Sequence, residues 1–280
     1  MDFLEYFKDY TLRNTKNATE YEEKVRAEYA CETKNMRIIF FDLETSPPCE
    51  RSYPIASADS IIEIGAVCEQ VGTFSRLCNP GHPIFTTAVN GISTEDVKDC
   101  PHTRTVLKAF LDWTAPDANH EATLLVAHNA TQFDLKVLRA HIARYFPGNY
   151  DNIYVGDSLQ FLKRHSGAEK GNLQSVYRHL FQEDYVEKHR ASEDAKDLEQ
   201  IVKHIAKEKG VSIMRMLSGS ICPLVSKTMK PRAEKDYFNV PFQEKDIAKR
   251  MGAKWDPVKK CWFAPTDEVK AALLTKFKST

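Results

Sequence analysis

The pattern of apolar and polar positions changes character at Met36. Residues 1–35 are polar and read as a helical lead-in. MRIIFFDLET, from Met36, is a continuous apolar run ending in acids, the pattern of a strand covered on both faces. SIIEIGAVCEQVG (60–72) and TFSRLCNP (73–80) read as two further strands joined at a glycine-containing turn. Ser93 and Asp96 form a capping-box signature for a helix start, and Val106, Phe110 and Trp113 then recur at helical spacing. TLLVAHN (123–129) is another short buried strand. It leads into a segment in which Leu135, Leu138 and Ile142 share a helix face. From Ser192 a long helix is marked by Leu198, Ile201, Val202 and Ile205. Strands alternating with helices predict an α/β fold, a mixed β-sheet flanked by helices.

A polar, basic stretch (226–236) reads as a linker, and the chain divides into a lead-in (1–35), a main domain (36–225), the linker and a small module (237–280). In the module, YFNVPFQEKDIAKRMGAKWDPVKKCWFAP predicts a strand, a helix closed by Gly252, and a hairpin turning at Asp256-Pro257, a small α+β unit.

Composition narrows the class. With 280 residues, 42% hydrophobic and no net charge, the chain can bury a core and does not resemble a disordered protein. No stretch approaches the roughly 20 apolar residues that span a bilayer. MDFLEYFKDYTLRN lacks the basic and apolar regions of a secretion signal. Seven cysteines, without any CxxC, argue for reduced thiols in an intracellular compartment, cytoplasm or nucleus. The charge is unevenly spread: residues 225–280 carry 13 Lys/Arg against 7 Asp/Glu, a net of +6, and the preceding 224 residues carry −6. A basic tail piece on an acidic body suggests a nucleic-acid contact near the C-terminus.

The chemistry begins with Asp42 and Glu44. Residues two apart in a strand face the same way, so both carboxylates project together from the end of a buried strand. Neighbouring buried acids repel unless a cation neutralises them, and hard oxygen ligands suit Mg²⁺ or Mn²⁺. Asp134 and Asp194 each fall in the first turn of a predicted helix, where an acid also serves the helix dipole; Glu193 and Asp197 compete with Asp194. His189 lies five residues before Asp194, and an imidazole beside a metal-binding carboxylate can take a proton from water near neutral pH.

FDLET, IIEIGAV, NGIS, LVAHNATQFDLKVLRAHI and HRASEDAKDL together resemble, in order and spacing, the DEDDh exonucleases, which include bacterial proofreading subunits and three-prime repair exonucleases. The resemblance spans about residues 36–206 and implies a ribonuclease H-like fold. It implies that Asp42, Glu44, Asp134 and Asp194 hold two Mg²⁺ ions, with Mn²⁺ as a substitute, and that His189 is the general base. His179 and Asp184 repeat the same spacing, but Arg190, Ala191 and Ala195 complete the family pattern only around His189. A tyrosine base of the sister branch would stand where Arg190 is. The implied reaction is two-metal hydrolysis of the 3′-terminal phosphodiester, releasing nucleoside monophosphates. Leu43, Thr45 and Asn129 are the implied substrate contacts, although Asn129 also suits a cap for the Asp134 helix. The family's small Thr-Gly turn is replaced here by Ser46-Pro47-Pro48 and a polar insertion to Ser60.

The expected function is thus a 3′→5′ exonuclease, with DNA favoured over RNA and single-stranded 3′ ends as the partner. The alternatives are a polymerase-associated proofreading or accessory subunit, an exoribonuclease, and a catalytically inactive nucleic-acid-binding protein. No membrane partner is expected. The small module resembles a domain of unknown function appended to nucleic-acid enzymes. Trp255, Trp262 and Phe263 fall on its hairpin and read either as base-stacking rings or as core; the tryptophans are expected mainly in the core, with Lys245, Lys249, Arg250, Lys254, Lys259 and Lys260 as the contact surface for nucleic acid or for a protein.

Overall fold

Strand β1 (Met36–Thr45) is the axis of the larger unit in the computed structural model, which describes residues 23–27, 30, 34–47, 59–183, 185, 188–225, 236–256 and 260–279. It pairs antiparallel with β2 (Ile61–Cys68), which pairs antiparallel with β3 (Gly72–Leu77). On its other side β1 runs parallel to β4 (Ala122–Ala127), followed by parallel β5 (Ile153–Asp157) and antiparallel β6 (Ile221–Pro223). The order is β3-β2-β1-β4-β5-β6, a mixed sheet. Of the predicted lead-in, residues 23–27 are helical and most of the remainder lies outside the described residues.

Alternation along β1 assigns its faces. Ile39, Phe41 and Leu43 enter a core closed by α1 (Thr103–Thr114) and α2 (Asp134–Tyr145), through Phe110, Leu138 and Ile142. Phe40, of opposite parity, enters a second core on the other face, closed by α4 (Leu173–Phe181) and α5 (Ala191–Lys209), with α3 (Leu159–His165) beside them. Every residue of β2 and β4 is buried, as strands covered on both faces require. The predicted capping box at Ser93 forms, with the Ser93 side chain accepting from the Asp96 N–H. Among the described residues, no helix is long and apolar enough to cross a membrane.

Backbone contacts divide the chain into two compact units, Met1–Lys230 and Pro231–Thr280. Asp236, assigned to the linker by sequence, already belongs to β7 (Asp236–Asn239). The smaller unit is a four-stranded sheet, order β10-β7-β9-β8, with β8 (Lys254–Asp256), β9 (Cys261–Ala264) and β10 (Lys278–Ser279). Two helices, α6 (Lys245–Arg250) and α7 (Asp267–Leu274), complete it. Its core is Phe238, Ala248, Ala253, Ala264, Leu273 and Phe277.

Candidate active site

The site forms where β1 outruns its neighbour. Pairing of β1 with β4 ends at Phe40–Val126, whereas pairing with β2 continues through Asp42–Gly65 and Glu44–Glu63. Asp42 and Glu44 therefore stand on a strand end bordered on one side only. Their parity is that of Phe40, so they face the layer in which α5 lies. On α5, Asp194 precedes Leu198, Ile201 and Ile205 on the buried face, which aims its carboxylate at the sheet. One carboxylate oxygen from each of Asp42, Glu44 and Asp194 lies within 4.8 Å of the others.

Asp134 is outside that group of three, but its charge acts on Asp42 and Glu44. It opens α2, is 2% exposed, and is held by its own backbone N–H and that of Leu43. Its Oδ1 is buried without a hydrogen-bond partner among the described residues.

Electrostatics mark the cluster as short of positive charge. Burial, then the charges of Asp134, Glu44, Asp194 and Glu63, holds the Asp42 carboxyl well above the usual carboxylate range. Burial pushes Glu44 up to about 8 against a hydrogen bond from the Asn90 side chain, with Asp194, Glu63 and Asp134 adding to the rise. Burial likewise pushes Asp134 up to about 7, opposed by its two backbone hydrogen bonds. Four acids crowded at one buried strand end, with an orphaned oxygen among them, fit hard divalent cations. The competitor Glu193 is turned away, paired with Lys188 at 3.0 Å and Lys196 at 2.6 Å.

His189 stands just before α5 with φ +48, a left-handed conformation costly for a residue with a Cβ. The next residue explains how that conformation is held. Arg190 grips the fully buried Glu63 with Nε at 3.1 Å and Nη2 at 2.8 Å, while the Ala191 N–H donates to the same carboxylate at 3.1 Å. His179, the decoy, is exposed on α4, and its companion Asp184 lies outside the described residues.

The other expected contacts are distributed unevenly. Leu43 turns its side chain into the opposite core. Thr45 is buried, and its carbonyl accepts from the Thr86 hydroxyl at 2.9 Å. Asn129 does not cap α2 through its side chain. The cap position is Phe133, without a side-chain bond, and Asn129 sits earlier in the turn at φ +59, its carbonyl accepting from Gln132 and Phe133. The Ser46–Ser60 insertion lies largely outside the described residues.

Sequence reasoning missed Glu63, Arg190 as a clamp, Gly65 and Asn90. Glu63 left a signal, an acid inside the otherwise apolar SIIEIGAV. Asn90 is 3% exposed, donates to Thr86 Oγ1 at 3.2 Å and accepts from the Ile92 N–H at 3.1 Å, which fixes its amide beside Glu44. Asn90, Gly91, Ile92, Asp96, Lys188 and Arg190 line a cleft of about 350 Å³.

The family model described as Exonuclease (RNase_T) matches residues 39–202, and one described as a domain of unknown function (DUF5710) matches residues 235–277. A PolC-type DNA polymerase III of Caldanaerobacter subterraneus is 32% identical over 183 residues, 62% of this chain and 12% of the relative. That of Oceanobacillus iheyensis is 34% identical over 165 residues, 56% of this chain and 10% of the relative. The chain thus spans about a tenth of the length of these relatives. Among solved structures, the nuclease domain of 3′hExo, a DEDDh family member bound to rAMP, superposes with a TM-score of 0.50 at 17% identity, covering 62% of this chain and 93% of that domain. At that identity the likeness speaks for the fold.

Proposed function

The chain belongs to the exonuclease family, and from that premise we propose that it is a DEDDh-type 3′→5′ exonuclease that trims DNA 3′ ends with Mg²⁺ to release nucleoside monophosphates. The observation that carries the reading is the convergence of the Asp42, Glu44 and Asp194 carboxylates within 4.8 Å, beside the orphaned oxygen of Asp134. Those four residues would hold the metal, which supplies the positive charge that phosphodiester hydrolysis demands of its site. What supports DNA is the likeness to PolC-type DNA polymerases; association with a polymerase rests on the same likeness.

The residues of the chain divide the remaining work. His189 takes the proton of the attacking water at an imidazole nitrogen, and its left-handed backbone position directly precedes the Arg190 that clamps Glu63. The Asn90 amide keeps the Glu44 carboxyl in one orientation.

Four 5′-labelled substrates test the reading: single- and double-stranded DNA and RNA, each incubated with Mg²⁺ or EDTA. A ladder shortening from the 3′ end of DNA, absent with EDTA, is expected. Trimming of RNA alone would reassign the sugar, and intact strands throughout would reject catalysis.

A further inference from the structure

The C-terminal unit holds a groove lined by none of the carboxylates or the histidine assigned to phosphodiester hydrolysis. Its volume is about 310 Å³, and Phe238, Val240, Phe242, Trp255 and Trp262 form its walls. Trp262 packs against the core as expected, but Trp255 does not. Trp255 is 48% exposed and Phe242 is 75% exposed, while the core is built from Phe238, Phe277 and smaller side chains. Leaving two large rings in water forgoes burial that a unit this small can ill spare.

Their geometry is ordered. Trp255 and Trp262 are register partners across the β8–β9 hairpin, with ring centroids 5.5 Å apart and planes at 63°, so one ring sets the edge of the other. Phe242 stands in the short helical turn that precedes α6. The Lys245 ammonium lies 4.0 Å from the Phe242 ring centroid, which plants a cation on the groove wall. Lys260, exposed at the hairpin turn with φ +50, brings a second. Several acids of the unit are engaged by other partners: Asp236 with Lys270 at 2.9 Å, Glu244 with Lys276 at 3.5 Å, and buried Asp256 with the Tyr237 hydroxyl at 2.9 Å. The segment 225–280 as a whole carries a net charge of +6. Flat apolar walls with cations at the rim complement a flat apolar ring joined to anions.

We propose that this groove binds an unpaired base of single-stranded nucleic acid, stacked on Trp255 and Phe242, with Lys245 and Lys260 on the flanking phosphates. A duplex hides its base faces, so single strands are the ligand class. The proposal rests on the exonuclease reading for its choice of ligand and is independent of the carboxylate site.

The test uses the full chain in EDTA, a 5′-fluorescein oligothymidylate, and a blunt duplex of equal length, read by anisotropy. Trp255→Ala and Phe242→Ala should each weaken oligothymidylate binding about tenfold, and Trp255→Phe should restore most of it. Lys245→Gln and Lys260→Gln should each lower the slope of log affinity against log salt by about 0.7. Tryptophan emission should be quenched by the strand in the wild type and less so in Trp255→Ala. Matching melting curves would establish that the variants fold. Oligothymidylate affinity indifferent to Trp255 and Phe242, or equal affinity for the duplex, would overturn the proposal and turn the groove over to a protein ligand. Cleavage with Mg²⁺ is scored separately: a chain that stacks single strands but cuts none fails as a nuclease and keeps this site, and the converse result does the opposite.

Discussion

Gly65 and Ala191 meet backbone to backbone. A Cβ placed at Gly65 would come 2.5 Å from the Ala191 carbonyl oxygen and closer still to the Ser192 nitrogen. Gly65 is also the register partner of Asp42. The missing side chain therefore lets the first turn of α5 settle onto the sheet directly beside the Asp42 carboxylate, and Asp194 arrives with it.

Gly65→Ala should push that turn away. The atoms it strikes are backbone, which cannot rotate aside, so overpacking should cost about 1–3 kcal/mol or more. Thermal melting should fall by about 2–4 °C per kcal/mol. Activity should fall further than stability, because the Asp194 carboxylate moves with the turn. Wild-type turnover in a folded Gly65→Ala chain would show that the close approach is dispensable.

Arg190→Ala isolates the clamp. Glu63 is buried and would keep only the Ala191 N–H, so about 1–3 kcal/mol of stability should be lost. The exposed pair Lys108–Asp112 is the control, since disrupting it should cost under about 1 kcal/mol. If the clamp presents His189, kcat should drop while binding of the oligonucleotide in EDTA stays near wild type. A change confined to binding would assign Arg190 to the substrate instead.

His189→Ala should lower turnover by at least about 10²-fold, the usual loss with a general base. His179→Ala, on the exposed side of α4, should leave turnover unchanged. The reverse pattern would move the base to His179. Asp42→Asn should abolish turnover yet raise the melting temperature in EDTA, because it removes a carboxyl whose ionisation the acidic site opposes.

Stability without metal should depend on pH in a defined direction. The folded protein holds protons on Glu44 up to about 8 and on Asp134 up to about 7, whereas the unfolded chain releases them near the ordinary carboxylate range. The folded state therefore binds more protons across that window, and stability falls as pH rises through it. In EDTA, melting should be highest near pH 5 and decline towards pH 8. Added Mg²⁺ should raise melting more at pH 8 than at pH 5, because it binds the deprotonated cluster. A flat melting profile in EDTA would mean that the carboxylates are not mutually strained.

Strands β1 to β4 and helices α1, α2 and α5 were legible because their signals are local, whereas β5, β6, α3 and α4 were not read from the sequence. A run such as IIFF is buried wherever it lies, and Leu198, Ile201 and Ile205 share a face by helical geometry alone. The strand-end acids could be read the same way, since parity places Asp42 and Glu44 together without any knowledge of what they face. Tertiary structure alone decided the rest. Glu63 and Arg190 are 127 residues apart in sequence, and their pairing exists only once α5 docks on β2. Gly65 looked like any strand glycine until a helix backbone lay on it. Asn90 reached Glu44 only from a one-turn helix (Thr87–Asn90) too short for periodicity to encode. The outward face of Trp255 likewise depended on the register of its hairpin: composition counts aromatic rings, but the side of a sheet on which a ring stands is set by which backbone groups pair.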